Sequence, residues 1–144
     1  MVMLDIDSFK CLNDTYRHRG VDVMLKEFAK VLSQCVRKGT DWVDWYCGDE
    51  FLIYLTNTDR ELAVAVARRI QDKLSQLVIT VECEQVKITQ SQGVCTRSDG
   101  YVSAEGMMDC ADKNLYTAKR LGRNRIIDTV ITGDYEKISC KVPS

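Results

Sequence analysis

Apolar residues recur along the chain in two rhythms, and the alternation between them predicts the fold. The chain opens on Val2-Met3-Leu4-Asp5-Ile6, a short apolar run that reads as a buried strand. Over residues 21–36, Val21, Met24, Leu25, Phe28, Val31, Leu32 and Cys35 fall three and four apart, the spacing of a helix with one buried face. Lys38-Gly39-Thr40-Asp41 stops it, with Gly39 suited to the C-terminal cap. Residues 42–46 and 51–55 are rich in aromatic and branched side chains and flank Cys47-Gly48-Asp49-Glu50, which predicts a hairpin. A second helix follows over 60–77, with Leu62, Val66, Ile70, Leu74 and Leu77 on one stripe. Residues 78–83 and 86–95 read as a second strand pair. Ala104, Met107, Met108, Ala111, Leu115 and Ala118 mark a third helix, and 125–128 a closing strand. Strands alternating with helices predict an α/β fold, a mixed central sheet flanked by helices. Past Asp128 the pattern fades, so 1–128 reads as one domain and 129–144 as a C-terminal tail or linker.

Composition narrows the class. The chain has 144 residues, 45% hydrophobic and 28% charged, as an ordinary globular domain does. No apolar run reaches the ~18–20 residues that span a bilayer, and no apolar leader opens the chain. A net charge of -1 argues against binding nucleic acid by bulk electrostatics. There are seven cysteines, Cys11, Cys35, Cys47, Cys83, Cys95, Cys110 and Cys140, with no CxxC pair, and one histidine, His18. That set suits neither a disulfide framework nor a zinc site and reads as reduced, buried apolar fillers. Pro143, the one proline, lies outside the expected core.

Three clusters carry candidate chemistry. Asp5-Ile6-Asp7 closes the first strand, where a carboxylate can hold Mg²⁺ or cap the next helix. Placement assigns Asp5 to a metal and Asp7 to the cap. Asp49 and Glu50, adjacent on the hairpin tip, are explained equally by solvent and by a cation between them. Strand-end and hairpin-tip carboxylates brought together could hold the metal ions used in nucleotidyl transfer. Lys119-Arg120-Leu121-Gly122-Arg123-Asn124-Arg125 ends the third helix, where cations suit the helix dipole or clamp a polyphosphate.

The combination says more than its parts. Asp5-Ile6-Asp7-Ser8-Phe9-Lys10, Asn13-Asp14, His18, Asp22, Gly48-Asp49-Glu50-Phe51, Ala111-Asp112, Leu115-Tyr116, Ala118-Lys119 and Gly122-Arg123-Asn124 occur in that order. Over residues 1–128 the chain resembles the GGDEF family, the diguanylate cyclases. The resemblance implies a fold like that of nucleotide cyclases and polymerase palms. It also implies condensation of two GTP into cyclic di-GMP, with release of two pyrophosphates, across a homodimer. Asp5, Asp49 and the Ile6 carbonyl would ligate Mg²⁺ (or Mn²⁺), and Glu50 would assist there or activate the 3′-hydroxyl. Asn13 and Asp22 would read guanine. Phe9 and Lys10 begin a helix whose amides approach the β- and γ-phosphates. Gly48 would allow the backbone near the substrate, and Lys119 and Arg123 would hold the terminal phosphates. His18 either positions the nucleotide or makes a structural hydrogen bond.

This sequence departs from the family at identifiable places. Cys47 stands at the motif's first glycine, where a side chain in a left-handed turn would cost about 1 kcal/mol or more. Arg17 and Val21 replace two glycines near His18, and Val21 is expected to narrow the base pocket. Trp45 replaces an arginine. Gln90 and Gln92 stand on a normally apolar strand and need hydrogen-bond partners. The family's product-inhibition site is degenerate here. Asp41 and Arg69 match it, but Lys38 replaces its arginine and cannot offer a planar fork of donors. Arg37 next door is expected to point elsewhere on a helix, so product inhibition should be weak or absent. The resemblance also implies a missing N-terminal helix, an attached sensory domain absent from this chain, and a cytoplasmic location, possible also for part of a larger membrane-bound protein. Two main readings stand: a cyclase, or a degenerate module that binds GTP or only regulates and dimerises.

Overall fold

A computed structural model describes residues 1–101 and 103–128. Cys140, Pro143 and the tail expected over 129–144 lie outside the described residues. The elements are β1 (Val2–Ile6), α1 (Phe9–Cys35), β2 (Trp42–Cys47), β3 (Glu50–Tyr54), α2 (Arg60–Gln76), β4 (Ile79–Val81), β5 (Glu84–Val86), β6 (Gln90–Val94), α3 (Ala104–Arg120) and β7 (Ile126–Ile127). The central sheet has five strands in the order β2-β3-β1-β6-β7, antiparallel except for the parallel β6–β7 pair.

Side chains alternate across this sheet and feed two cores. Val2, Leu4 and Ile6 of β1 meet Phe51 and Ile53 of β3, Met24, Phe28 and Leu32 of α1, and Ala67, Ile70 and Leu74 of α2. The rings of Phe28 and Phe51 lie 5.0 Å apart, centroid to centroid. On the other face Met3 and Leu52 meet Cys110, Ala111 and Leu115 of α3. There α3 lies against β6 at Gly93, where a Cβ would fall 2.0 Å from the Ala111 carbonyl and 2.3 Å from the Leu115 amide. Helix caps follow from local sequence: Asp59 accepts from the Leu62 amide at 2.8 Å, and Ser103 from the Gly106 amide at 3.1 Å.

The strand pairing differs from the sequence expectation. Residues 78–83 and 86–95 do not form one strand pair: only Ile79 and Val86 meet. β4 and β5 form a small separate hairpin turned by Glu82 and Cys83 at φ 47° and 70°. β6 instead lies beside β1, from Val2 opposite Val94 to Ile6 opposite Gln90. The two glutamines are buried, and Gln92 Nε2 donates to the Ala67 carbonyl of α2 at 3.0 Å. The cysteine expectation also needs correction: Cys35, Cys95 and Cys110 are buried, but Cys11, Cys47 and Cys83 are exposed. Among the described residues no helix is long and apolar enough to cross a membrane.

Candidate active site

Pairing of β1 with β3 sets Asp5 opposite Glu50, and the Ile6 amide donates to the Asp49 carbonyl at 3.3 Å. The strand-end and hairpin-tip acids therefore meet, as the sequence suggests. Asp5 is only 1% exposed, and its Oδ2 accepts from the Lys119 ammonium of α3. Asp5 Oδ1 and Asp49 Oδ2 are buried without a hydrogen-bond partner. Burial first, and then the neighbouring Asp49, push the Asp5 carboxyl up to about 8 against the pull of Lys119. Glu50 is also raised, by burial and by Asp49 and Asp112, with Lys119 opposing. Crowded carboxylates with unpartnered oxygens lack positive charge, and hard oxygen donors suit a divalent cation. The residues present fit such an ion.

Asp7 does not cap α1. Its carboxylate accepts from Thr89 at 2.7 Å, from Ser91 at 2.6 Å and from the Asn124 amide at 2.9 Å. The last bond ties the end of β1 to the turn after α3, where Gly122, Arg123 and Asn124 take φ 117°, 64° and 48°. Asp7 thus fixes the loop that carries Arg123. That role left no sequence signal beyond the acid itself. The residue before α1 is Ser8, left-handed at φ 57°, and its side chain makes no cap bond to the first turn. The helix N-terminus at Phe9 and Lys10 is therefore free of a side-chain cap, as an anion site requires.

The glycine replacements behave unlike the expectation. The positive φ of the hairpin tip falls on Gly48, at 55°, and Cys47 ends β2 without a positive φ, just past a register shift between Trp45 and Cys47. The strain sits at Arg17, which breaks α1 with φ 53° and ψ -174°. Val21 does not narrow a base pocket, because it is 4% exposed and packs into the main core. Before the break Asn13 is half-buried, and just past it His18 is exposed. Asp22, one turn further, opens onto a groove of about 130 Å³ with Leu25, Lys26, Ala29, Trp45 and Phe51. Asn13 and His18 do not line that groove.

The family model described as "Diguanylate cyclase, GGDEF domain" matches residues 1–125. The chain belongs to the GGDEF family. It is 39% identical over 126 residues to diguanylate cyclase A of Treponema denticola, which covers 88% of this chain and 34% of that protein. The chain thus spans about a third or less of the length of such curated relatives. Among solved structures, the GGDEF domain of DgcB from Caulobacter crescentus, in complex with c-di-GMP, superposes with a TM-score of 0.75 at 28% identity, covering 88% of this chain and 75% of that one. The GGDEF domain of YfiN from Pseudomonas aeruginosa shares the fold at a TM-score of 0.84 and 24% identity, covering 88% and 79%.

In this GGDEF domain Asp41, expected in a degenerate inhibitory site, is already paired. Arg37 does not point away on a helix, since α1 ends at Cys35. Its guanidinium forks onto Asp41 at 2.9 and 3.0 Å and also donates to the Thr56 carbonyl. The backbone amides of Arg37 and Thr56 donate to the same carboxylate at 2.9 and 3.1 Å. Arg37 holds the Asp41 carboxyl below the usual carboxylate range. Arg69 lines the groove beside this pair, and Lys38 does not. One further donor cluster occurs among the described residues: Cys95, Asp99 and Cys110, with ligand atoms within 4.8 Å. Asp99 is already paired with Arg60 and accepts from the Thr96 amide at 2.7 Å. Burial and Cys110 push the Cys95 thiol up to about 12, so this thiol is an inert core group.

Proposed function

We propose that this domain is a diguanylate cyclase, condensing two GTP into cyclic di-GMP with release of two pyrophosphates across a homodimer. The observation that carries the reading is the meeting of Asp5 and Asp49, each with an unpartnered buried oxygen, beside Glu50 and under Lys119. Asp5, Asp49 and the Ile6 carbonyl would hold Mg²⁺ (or Mn²⁺). That ion would lower the pKa of the attacking hydroxyl and offset phosphate charge. Lys119, which donates to Asp5, would with Arg123 draw the terminal phosphates. The open N-terminus at Phe9 and Lys10 would donate to the β- and γ-phosphates. Gly48 keeps the turn close to the backbone, and Glu50 assists at the carboxylate site or takes the 3′-hydroxyl proton. Asp22, with Asn13, would read the N–H edge of guanine, and His18 would position the nucleotide.

One domain supplies one GTP, so each 3′-hydroxyl attacks the α-phosphate held by the partner and pyrophosphate departs. Specific activity with GTP and Mg²⁺ should therefore rise with protein concentration; activity independent of concentration would contradict the homodimer. Such chemistry belongs in the cytoplasm, where GTP is available. A second reading, a module that binds GTP without turnover, is favoured by one observation, the strained Arg17 beside the nucleotide-reading residues. Mg²⁺-dependent GTP binding without product would select it. Cyclic di-GMP itself should bind weakly away from the active site, because Asp41 already has its full set of donors. Submicromolar binding to the GTP-free domain would overturn that.

A further inference from the structure

Trp45 stands out on the edge strand β2. Its indole is 58% exposed, yet it is fixed on both sides. Nε1 donates to the Gly48 carbonyl at 2.8 Å, and the ring lies nearly parallel to Phe51, at 12° with centroids 6.3 Å apart. Phe51 is in turn held against Phe28 of α1. A rigid exposed indole is a costly way to fill a surface and an effective platform for stacking a planar ring. The groove beside it is almost wholly apolar, and Asp22 and, one turn along α1, Lys26 border it. An apolar groove with an exposed indole on one wall and an acid at its border suits a planar heterocycle that presents adjacent N–H donors. Guanine does so with N1–H and the N2 amine, and adenine does not. The same hydrogen bond links the indole to the turn that carries Asp49 and Glu50.

We propose that Trp45 is a specificity-determining residue that stacks on the guanine of GTP while Asp22 accepts from its N–H edge. The proposal rests on the GTP reading above and adds a binding group to it. The indole stands where the family has an arginine, and it makes base affinity depend on an aromatic side chain.

The chain has two tryptophans, and Trp42 lies in a different groove, so Trp42→Phe leaves Trp45 as the sole indole. In that background, GTP with Mg²⁺ is titrated by fluorescence and by calorimetry, with ATP and tripolyphosphate in parallel. GTP should quench Trp45, and tripolyphosphate should not. Trp45→Ala should weaken GTP about 5- to 150-fold, the range of one base–aromatic stack, and leave tripolyphosphate binding unchanged. Trp45→Phe, which preserves a ring and guards against a folding defect, should keep most of the affinity. Equal GTP affinity in Trp45→Ala, no quenching on calorimetrically proven binding, or equal loss for tripolyphosphate would each overturn the role of Trp45 and leave the GTP reading standing. Absence of calorimetric GTP binding in the parent would overturn both.

Discussion

Arg17 is the residue at which local chemistry and local conformation conflict. Its φ of 53° with ψ -174° belongs to backbone that glycine tolerates and other residues adopt at a cost of about 1–3 kcal/mol. Arg17→Gly should therefore raise the thermal midpoint. Cys47→Gly should leave it level or lower it, since Cys47 already sits in strand geometry and a strand glycine loses chain entropy. Thermal melts of the two variants decide this, and a larger gain from Cys47→Gly would contradict it. Sequence could name the three glycine replacements, Cys47, Arg17 and Val21, but not that Arg17 alone of them takes a positive φ, because a motif spells residue types and not dihedrals. Asp7 was legible as an acid at a strand end, but its three donors come from positions 82 to 117 residues away. Asp41 gives a pH test. Its folded pKa is depressed chiefly by Arg37, so the stabilisation is full above the ordinary carboxylate pKa of about 4 and is lost as pH falls through the folded value. Denaturant melts across that acid range should show a slope that Arg37→Ala removes. An unchanged slope would mean that the pair does not couple to folding.

At the scale of elements, β1, α2 and α3 were readable because each has one clean apolar period and a stop signal. The first half of α1 was not. Between Phe9 and Tyr16 only Phe9, Leu12 and Tyr16 touch the core, and the break at Arg17 shifts the helix phase. The β4–β5 hairpin escaped because its Glu82-Cys83 turn lacks the glycine or asparagine that announces such turns. β6 was readable within the strand expected over 86–95, but its place beside β1 was not, because Gln90, Ser91 and Gln92 are polar yet buried. Packing of α3 on β6 depends on Gly93, and α3 carries Lys119 to Asp5. Gly93→Ala must drive the helix off the sheet, since the atoms in the way are backbone. The expected loss is about 3 kcal/mol or more, at the upper end for overpacking. Denaturant unfolding measures it, and a loss below about 1 kcal/mol would show that the helix can slide without cost.

At the scale of the whole molecule, the motif order identified the family, and the fold explains why those motifs are spaced as they are. Residues 5, 49, 112 and 119 come from β1, the hairpin tip and α3, and the sheet order brings them to one end. What sequence could not weigh was whether the replaced glycines spoil that end. Cys47 leaves the acids where the chemistry needs them, which favours a working site. The chain spans about a third of the length of diguanylate cyclase A of Treponema denticola. The direct test is the cyclic di-GMP formed from GTP and Mg²⁺ by the domain at high concentration, compared with its Asp49→Ala variant. Product from the parent that vanishes in Asp49→Ala, with both proteins equally folded, is the predicted result. Equal product from both, or none from a folded parent that dimerises, would contradict the account.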